Sequence, residues 1–133
     1  MKRHATLQDL SRDHYRALKL ALQAKRAALA GAAGQVETVA ADCRAAFAGE
    51  LEPHFFLEED SLLPMLVQAG EAALVERLRH DHGELRRLSA QLTQPDAATL
   101  LAFAELLTAH VRFEEREMFA VLETILPADS ADR

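Results

Sequence analysis

The chain has 133 residues, which is the length of one ordinary domain. Its 26 alanines and 22 leucines, against one isoleucine, six valines and no tryptophan, favour helices and argue against an all-β or doubly wound fold. The net charge of −6 argues against nucleic acid as a partner, and no apolar run reaches the roughly 20 residues that cross a bilayer. The N-terminal residues lack the apolar stretch of a secretory signal. We therefore expect an all-α, cytoplasmic protein with no membrane partner.

Glycines and a proline divide the chain into four helical segments. Breaks are expected at Gly31 and Gly34, at Gly70, and around Pro95. The segments between these breaks are 6–30, 36–68, 71–93 and 97–126, and each carries apolar residues at helical spacing. Because short connections favour antiparallel neighbours, the sequence predicts a single domain over 1–133, an up-down-up-down four-helix bundle.

Two prolines fall within the second segment. Pro53 removes a backbone hydrogen bond, but the apolar stripe continues through it in register, so we expect a kink rather than a break. Pro64 is expected to mark the onset of irregularity near the end of that helix.

One histidine lies on the apolar face of each segment. In the first segment that face is predicted to consist of His14 with Leu7, Leu10, Leu18, Ala21 and Leu22. The other three histidines are His54, His82 and His110. His54 and His110 are each followed four residues later by a glutamate, Glu58 and Glu114, so each pair shares one helix face. The matching stretches HFFLEE at 54–59 and HVRFEE at 110–115, with Asp-His at 13–14 and 81–82, indicate a weak repeat of two helical hairpins.

These polar side chains lie where a core is expected. A buried, unpaired carboxylate costs several kcal/mol, so a positive group must compensate Glu58 and Glu114. The distances of His14 and His54 from the turn between them differ by two residues, and so do those of His82 and His110. Glu58 and His82 are equally far from Gly70, so all four helices bring a histidine to about one layer, within roughly one helical turn. The alternative, a hydrogen-bonded core histidine, suits any one of them alone but not four histidines in one layer.

Histidines and carboxylates that converge inside a four-helix bundle are typical of di-iron and di-manganese sites. If each glutamate bridges two metals, four histidines and two glutamates supply about eight of the twelve positions of two octahedral ions. The remaining positions would hold solvent, an oxo bridge or a small ligand. The residues thus predict a centre of two metal ions, with iron, manganese and zinc as candidates.

The chain resembles the hemerythrin-like HHE cation-binding domains over almost its whole length. The resemblance rests on LSRDHYRAL around His14, PHFFLEED at 53–60, DHGELRRL around His82 and AHVRFEEREMF at 109–119. It implies an up-down four-helix bundle that holds a non-haem di-iron centre. The ligands it implies are His14, His54, Glu58, His82, His110 and Glu114.

Two departures separate the chain from the oxygen-carrying hemerythrins that it resembles. Those proteins take a further histidine from a His-x-x-x-His in the third helix, whereas the positions four before and four after His82 are Leu78 and Arg86. They also use His-x-x-x-x-Asp in the fourth helix, where this chain has Glu114 at the four-residue spacing and Glu115 at the five-residue spacing. Glu114 is the preferred ligand because it shares the apolar stripe and repeats the His54 and Glu58 spacing.

Three functions follow as hypotheses. The first is a di-iron protein whose open positions bind or sense O2, NO or peroxide, in keeping with the oxygen- or redox-sensing, iron-handling and nitric-oxide roles attributed to the bacterial HHE group. The second is a di-iron oxidoreductase that acts on peroxide or NO. The third is a structural bundle that the metal holds together for a protein partner.

The remaining polar residues have ordinary alternatives. Glu59 and Glu115 are either solvated helix charges or groups that orient a ligand histidine. His80 and His4 are expected at the surface, and Cys43, too far from His54 to ligate, is expected to be a buried, inert thiol. Tyr15 either faces the edge of the site or is exposed.

Overall fold

The computed structural model describes residues 3–127, and within that range it contains helices and no strand. Four helices follow one another: α1 at Ala5–Ala30, α2 at 33–68, α3 at Ala72–Gln91 and α4 at 97–125. Consecutive helices pack together, and α1 packs most extensively against α4, which closes the bundle. The predicted all-α fold is therefore confirmed. Residues 1, 2 and 128–133 of the predicted domain lie outside the described range.

The turn between α1 and α2 is shorter than predicted. Gly31 has a left-handed backbone, with φ of +74°, and its N–H donates to the carbonyl of Ala27 at 3.1 Å, which ends α1. Because this one residue reverses the chain, α2 begins at Ala33 rather than at 36, and Gly34 lies in its first turn. His4, expected at the surface, is instead half-buried and caps α1, since its Nδ1 accepts from the N–H of Thr6 at 3.1 Å.

Helix α2 passes both prolines without a break. Two π turns, Phe47–Leu51 and Glu58–Leu62, each end two residues before a proline, Pro53 or Pro64. A π turn changes the hydrogen-bond register by one residue, which accommodates a ring that cannot donate. The prediction that irregularity begins at Pro64 is therefore wrong about its position. The irregular turn precedes that proline, and the helix continues to Gln68.

The buried apolar side chains form two separate clusters along the bundle. The larger cluster includes Cys43, which is buried as predicted, together with Phe47, Phe103 and Leu107. The smaller cluster, toward the N-terminus of α1, includes Leu10, Leu66, Leu78, Phe119 and Leu122. A layer of buried polar side chains lies on the same helix faces in the sequence intervals between them. The layer thus interrupts the apolar core.

The predicted apolar face of α1 is partly wrong. Leu18 is 37% exposed and Leu22 is 48% exposed. Leu7, Leu10 and Ala21 are buried as predicted, but the rest of the packed face after His14 consists of small residues, namely Ala17, Ala24, Ala27 and Ala28. Alanines allow α1 and α4 to approach closely, and Leu18 and Leu22 then lie outside the contact. Tyr15 is 68% exposed, so it is a surface residue and does not face the edge of the site.

No described helix combines the length and the apolar character that crossing a membrane requires.

Candidate metal centre

The six side chains singled out in the sequence meet in one buried layer. None is more than 5% exposed: they are His14, His54, Glu58, His82, His110 and Glu114. Their ligand atoms form two groups, and within each group all of these atoms lie within 4.8 Å of one another. The first group contains His14 and His54, the second contains His82 and His110, and both contain Glu58 and Glu114. The layer therefore offers two adjacent positions that share two carboxylates.

Each glutamate turns one oxygen toward each histidine pair. Glu58 Oε2 lies 3.3 Å from His54 Nε2, and its Oε1 lies 3.0 Å from His82 Nε2. Glu114 Oε1 lies 2.7 Å from His14 Nε2, and its Oε2 lies 2.8 Å from His110 Nε2. Every inner contact thus joins a carboxylate oxygen to the Nε2 atom of a histidine. This is the arrangement that a carboxylate bridge between two cations requires.

Local helix geometry places both glutamates in equivalent positions. Each is four residues after a histidine, and each is the first residue of a π turn, Glu58–Leu62 or Glu114–Met118. In both turns the N–H five residues later, that of Leu63 or Phe119, donates to the carbonyl of the glutamate. Such π turns are frequent at functional sites. Nothing in the sequence of α4 signals its π turn, since that helix contains no proline within it.

A second carboxylate holds the outer nitrogen of every histidine. The pairs, each between a carboxylate oxygen and Nδ1, are Asp13 with His54 at 3.0 Å, Glu59 with His82 at 2.7 Å, Asp81 with His110 at 2.9 Å, and Glu115 with His14 at 2.6 Å. Each carboxylate comes from a helix adjacent in the bundle, so the four contacts form a closed ring. Since an Nδ1–H donates outward in each pair, Nε2 is left free to accept or to ligate on the inside.

These outer contacts resolve some of the alternatives left by the sequence. Glu59 and Glu115 orient histidines rather than only carrying solvated charge. Glu114 lies in the inner layer, and Glu115 lies outside it. Asp13 and Asp81 were not identified as part of the site. The available signal was the repeated Asp-His at 13–14 and 81–82, but each aspartate contacts the histidine of another helix, which spacing alone does not reveal.

Three of the four outer carboxylates are themselves held by arginines. Arg86 donates to Glu59 at 2.8 Å, Arg77 donates to Asp81 at 2.9 Å, and Arg3 pairs with Glu115. Asp13 has His54 as its only polar partner among residues 3–127. The side chain of Asp13 is 44% exposed, whereas that of Asp81 is 2% exposed. The ring is therefore least supported at Asp13.

Aromatic rings pack against the histidines. Phe55 stacks on His82 with ring centroids 3.9 Å apart and an angle of 12°, and it meets His110 edge-on at 5.7 Å. Phe119 stacks on His14 at 5.3 Å and 16°. These contacts restrict the rotation of the imidazoles and keep water away from the inner layer.

The inner layer retains protons when no metal is bound. Burial alone would lower the pKa of His54, but the adjacent carboxylates of Glu114 and Glu58 outweigh burial and raise that pKa to about 11. Burial also opposes a charge on His110, yet the charge of Glu114 and the hydrogen bond to Asp81 raise its pKa to about 10. Burial and the adjacent charge of Glu114 raise the pKa of Glu58.

Three buried atoms of the layer lie close to another polar atom but are not aligned to form a hydrogen bond with it: Glu58 Oε2, Glu114 Oε2 and His110 Nε2. A buried polar atom without a partner costs about 1–3 kcal/mol, so these atoms call for an additional group. A cation would satisfy all three, because imidazole nitrogen and carboxylate oxygen are its usual donors. The residues present therefore fit a metal centre.

The family model described as the hemerythrin HHE cation binding domain matches residues 5–122. The chain belongs to this family. No curated protein and no solved structure gives a significant match. The match spans all four helices and every residue of the inner layer, so the predicted family is confirmed. The family description and the buried His and Glu groups together support metal binding.

One predicted surface residue lies outside the layer. His80 is exposed, two residues before His82 on α3, as expected from its position on the opposite face. Within the described residues, the only groups of ligand atoms close enough to hold a metal ion are the two of the inner layer.

Proposed function

We propose that this HHE domain binds two iron ions in the inner layer and that the bound centre reacts with, or senses, O2, NO or peroxide. In this proposal His14 and His54 hold one ion and His82 and His110 hold the other. Glu58 and Glu114 bridge the two ions. Mixed imidazole and carboxylate donors favour iron or manganese over a purely structural zinc site, in which four donors close the coordination sphere.

The observation that carries the proposal is the orientation of the two glutamates. Each directs one oxygen toward each histidine pair, at 2.7–3.3 Å from an Nε2 atom. A single-metal site needs only one such pair and would leave the second pair of histidines without a role. Two ions use all eight donor atoms, four Nε2 atoms and four carboxylate oxygens, and these leave coordination positions for a small ligand.

The chain's own residues would prepare and protect the centre. The outer carboxylates fix the Nδ1–H tautomer, so that Nε2 of each histidine faces inward without reorientation. Phe55 and Phe119 exclude water beside the imidazoles. When bound, iron would supply open positions and one-electron redox changes for the small ligand. No inner residue is more than 5% exposed, so only a small ligand fits this role.

Anaerobic loading with Fe(II) tests the proposal. We expect about two irons per chain, and an optical change when O2, NO or peroxide is added. Glu114→Gln should lower the iron content and abolish the optical change. Glu117→Gln is the matched control, since Glu117 is an exposed residue of the same π turn.

Two outcomes would lead to another function. Turnover of peroxide or NO with a reductant, lost in Glu114→Gln, would establish the oxidoreductase. Binding of metal with a large gain in melting temperature but without any reaction with O2, NO or peroxide would contradict the proposal and support the structural bundle.

A further inference from the structure

The two positions of the proposed centre have the same inner donors but different surroundings. Each offers two Nε2 atoms and one oxygen from each of Glu58 and Glu114. The inner donors therefore give no reason for one position to bind metal more tightly than the other. Any difference must come from the residues behind the histidines.

Behind His110 and His82 both supporting carboxylates are held by arginines, and that of Asp81 is also buried. Asp81 is 2% exposed, contacts His110 at 2.9 Å and receives a hydrogen bond from Arg77 at 2.9 Å. Glu59, which contacts His82, is held by Arg86. Both carboxylates are therefore fixed from both sides before a metal arrives.

Behind His54 the support is weak. Asp13 is 44% exposed and contacts His54 at 3.0 Å, and residues 3–127 provide no arginine or lysine that pairs with it. The rotation of an exposed side chain with one partner costs little. Loss of this contact would free the His54 ring to turn its Nε2 away from the inner layer.

The aromatic packing differs in the same direction. His82 has Phe55 stacked on it at 3.9 Å, and His110 meets the same ring at 5.7 Å. On the other side His14 stacks on Phe119 at the longer distance of 5.3 Å, and His54 meets Phe55 edge-on at 6.0 Å. The closest aromatic contact of the layer is therefore in the second group, at His82, whereas His110 lies slightly farther from a ring than His14 does.

We infer that the two positions fill in order. The position between His82 and His110 binds its metal first and retains it, and the position between His14 and His54 binds second and exchanges. Asp13 is the positioning residue that makes the second position labile. The inference rests on the proposed two-metal centre.

Charge reinforces this order. The first ion draws on both carboxylates, which carry at most two negative charges between them. The second ion then binds beside a divalent cation whose charge those carboxylates have already offset, and repulsion at a few Å is large in a buried layer. The outer carboxylates give one position a slightly higher affinity, and repulsion between the ions weakens binding of the second ion further. Metal binding therefore occurs in two separate steps, with a one-metal state between them.

The test is a titration of the metal-free chain with Zn²⁺, which is diamagnetic and accepts imidazole ligands. The imidazole ¹⁵N signals are followed by NMR, and they report each histidine separately. At one equivalent we expect the Nε2 signals of His82 and His110 to shift and those of His14 and His54 to remain. The latter two should shift only between one and two equivalents.

A matched pair of variants identifies the cause. Asp81→Asn should weaken the first binding step by about 10–100-fold, which is the usual effect of losing a carboxylate behind a ligand histidine. Asp13→Asn should weaken only the second step, and by less than 10-fold, because its contact is already exposed. Both affinities are measured by competition with a chelator, and the order in the unmodified chain stands independently of how well either variant folds.

The outcomes separate this inference from the proposed function. If all four histidines shift in parallel up to two equivalents, or if His14 and His54 shift first, the order is wrong and the two-metal centre stands. If no histidine of the layer shifts at any Zn²⁺ concentration, both fail.

Discussion

The polar layer and the larger apolar cluster lie on the same four helices but depend on different conditions. The apolar cluster, with Phe103 and Leu107 at 1% exposure, is stabilised by burial alone. The polar layer holds ionisable groups with raised histidine pKa values and three atoms without a hydrogen bond. The apolar clusters therefore build the bundle, and we expect the polar layer to gain its full stability only when a cation replaces the protons.

This difference explains how the site is prepared. The helices on both sides of the layer are fixed by Phe103 in one cluster and Phe119 in the other, both fully buried. The histidines are then oriented by the outer carboxylates without any help from a metal. We thus expect a metal-free chain that folds and is less stable than the loaded one.

Among single substitutions, the largest effect on the free energy of unfolding is expected in the larger apolar cluster. Leu107→Ala should lower the free energy of unfolding by about 2–5 kcal/mol, because it opens a cavity in the larger cluster. Leu22→Ala, at a 48% exposed leucine of α1, is the control and should change it by about 0.5 kcal/mol or less. Urea unfolding with and without metal measures both. If the free energy lost in Leu107→Ala differed by more than about 1 kcal/mol between the metal-loaded and metal-free chains, the apolar cluster and the polar layer would not be energetically independent.

Metal removal tests the polar side. With free metal at 1,000 times the dissociation constant of each position, each bound ion should raise the free energy of unfolding by about 4 kcal/mol. The change is measured by thermal unfolding before and after treatment with a chelator. In Glu114→Ala this difference should nearly vanish. A chelator-treated chain that keeps the melting temperature of the loaded chain would refute this prediction.

Proton release on metal binding is a second property that is specific to the polar layer. The pKa values of His54 and His110, about 11 and about 10, exceed the unfolded value of 6.5. In the metal-free chain the stability from these protons is complete below pH 6.5 and is lost as the pH rises through 10 to 11. At pH 8 metal loading must displace them, so we expect about two or more protons released per chain.

Calorimetry in two buffers with different ionisation enthalpies counts these protons. The binding affinity should also fall as the pH is lowered from 8 to 6. A binding enthalpy that is the same in both buffers would mean that the inner histidines are already neutral in the metal-free chain.

The smallest effect is expected in the outer ring. Glu115→Gln keeps the shape of the side chain but removes the charge that holds His14. Metal affinity should fall by about 10–100-fold with two ions still bound. Glu117→Gln, an exposed neighbour on α4, is the control and should leave the affinity unchanged. Complete loss of one ion in Glu115→Gln would show that Glu115 is a direct ligand.

The inner layer could be predicted because it places polar residues on helix faces that should be apolar. His54 with Glu58, and His110 with Glu114, place charge on helix faces that are otherwise apolar, and helical spacing is visible in the sequence. The closeness of the four histidines follows from their distances to the turns, which agree to within about one helical turn. The roles of Asp13 and Asp81 could not be found this way, because their partners lie on neighbouring helices and depend on how the helices are rotated.

Helix spacing also fails where side-chain size controls packing. Leu18 and Leu22 satisfy the periodicity of the α1 face, yet the close contact of α1 with α4 selects Ala17 and Ala21 and leaves both leucines exposed. The π turn at Glu114–Met118 has no proline within it to signal it. These features depend on distances between helices, which propensity and spacing do not contain.

The most direct measurement is a crystal structure of the Fe-loaded chain with anomalous diffraction data collected at the iron edge. We expect two anomalous peaks in the inner layer, one between His14 and His54 and one between His82 and His110, with Glu58 and Glu114 contacting both. A single peak, or peaks at surface carboxylates with an empty layer, would contradict the two-metal centre.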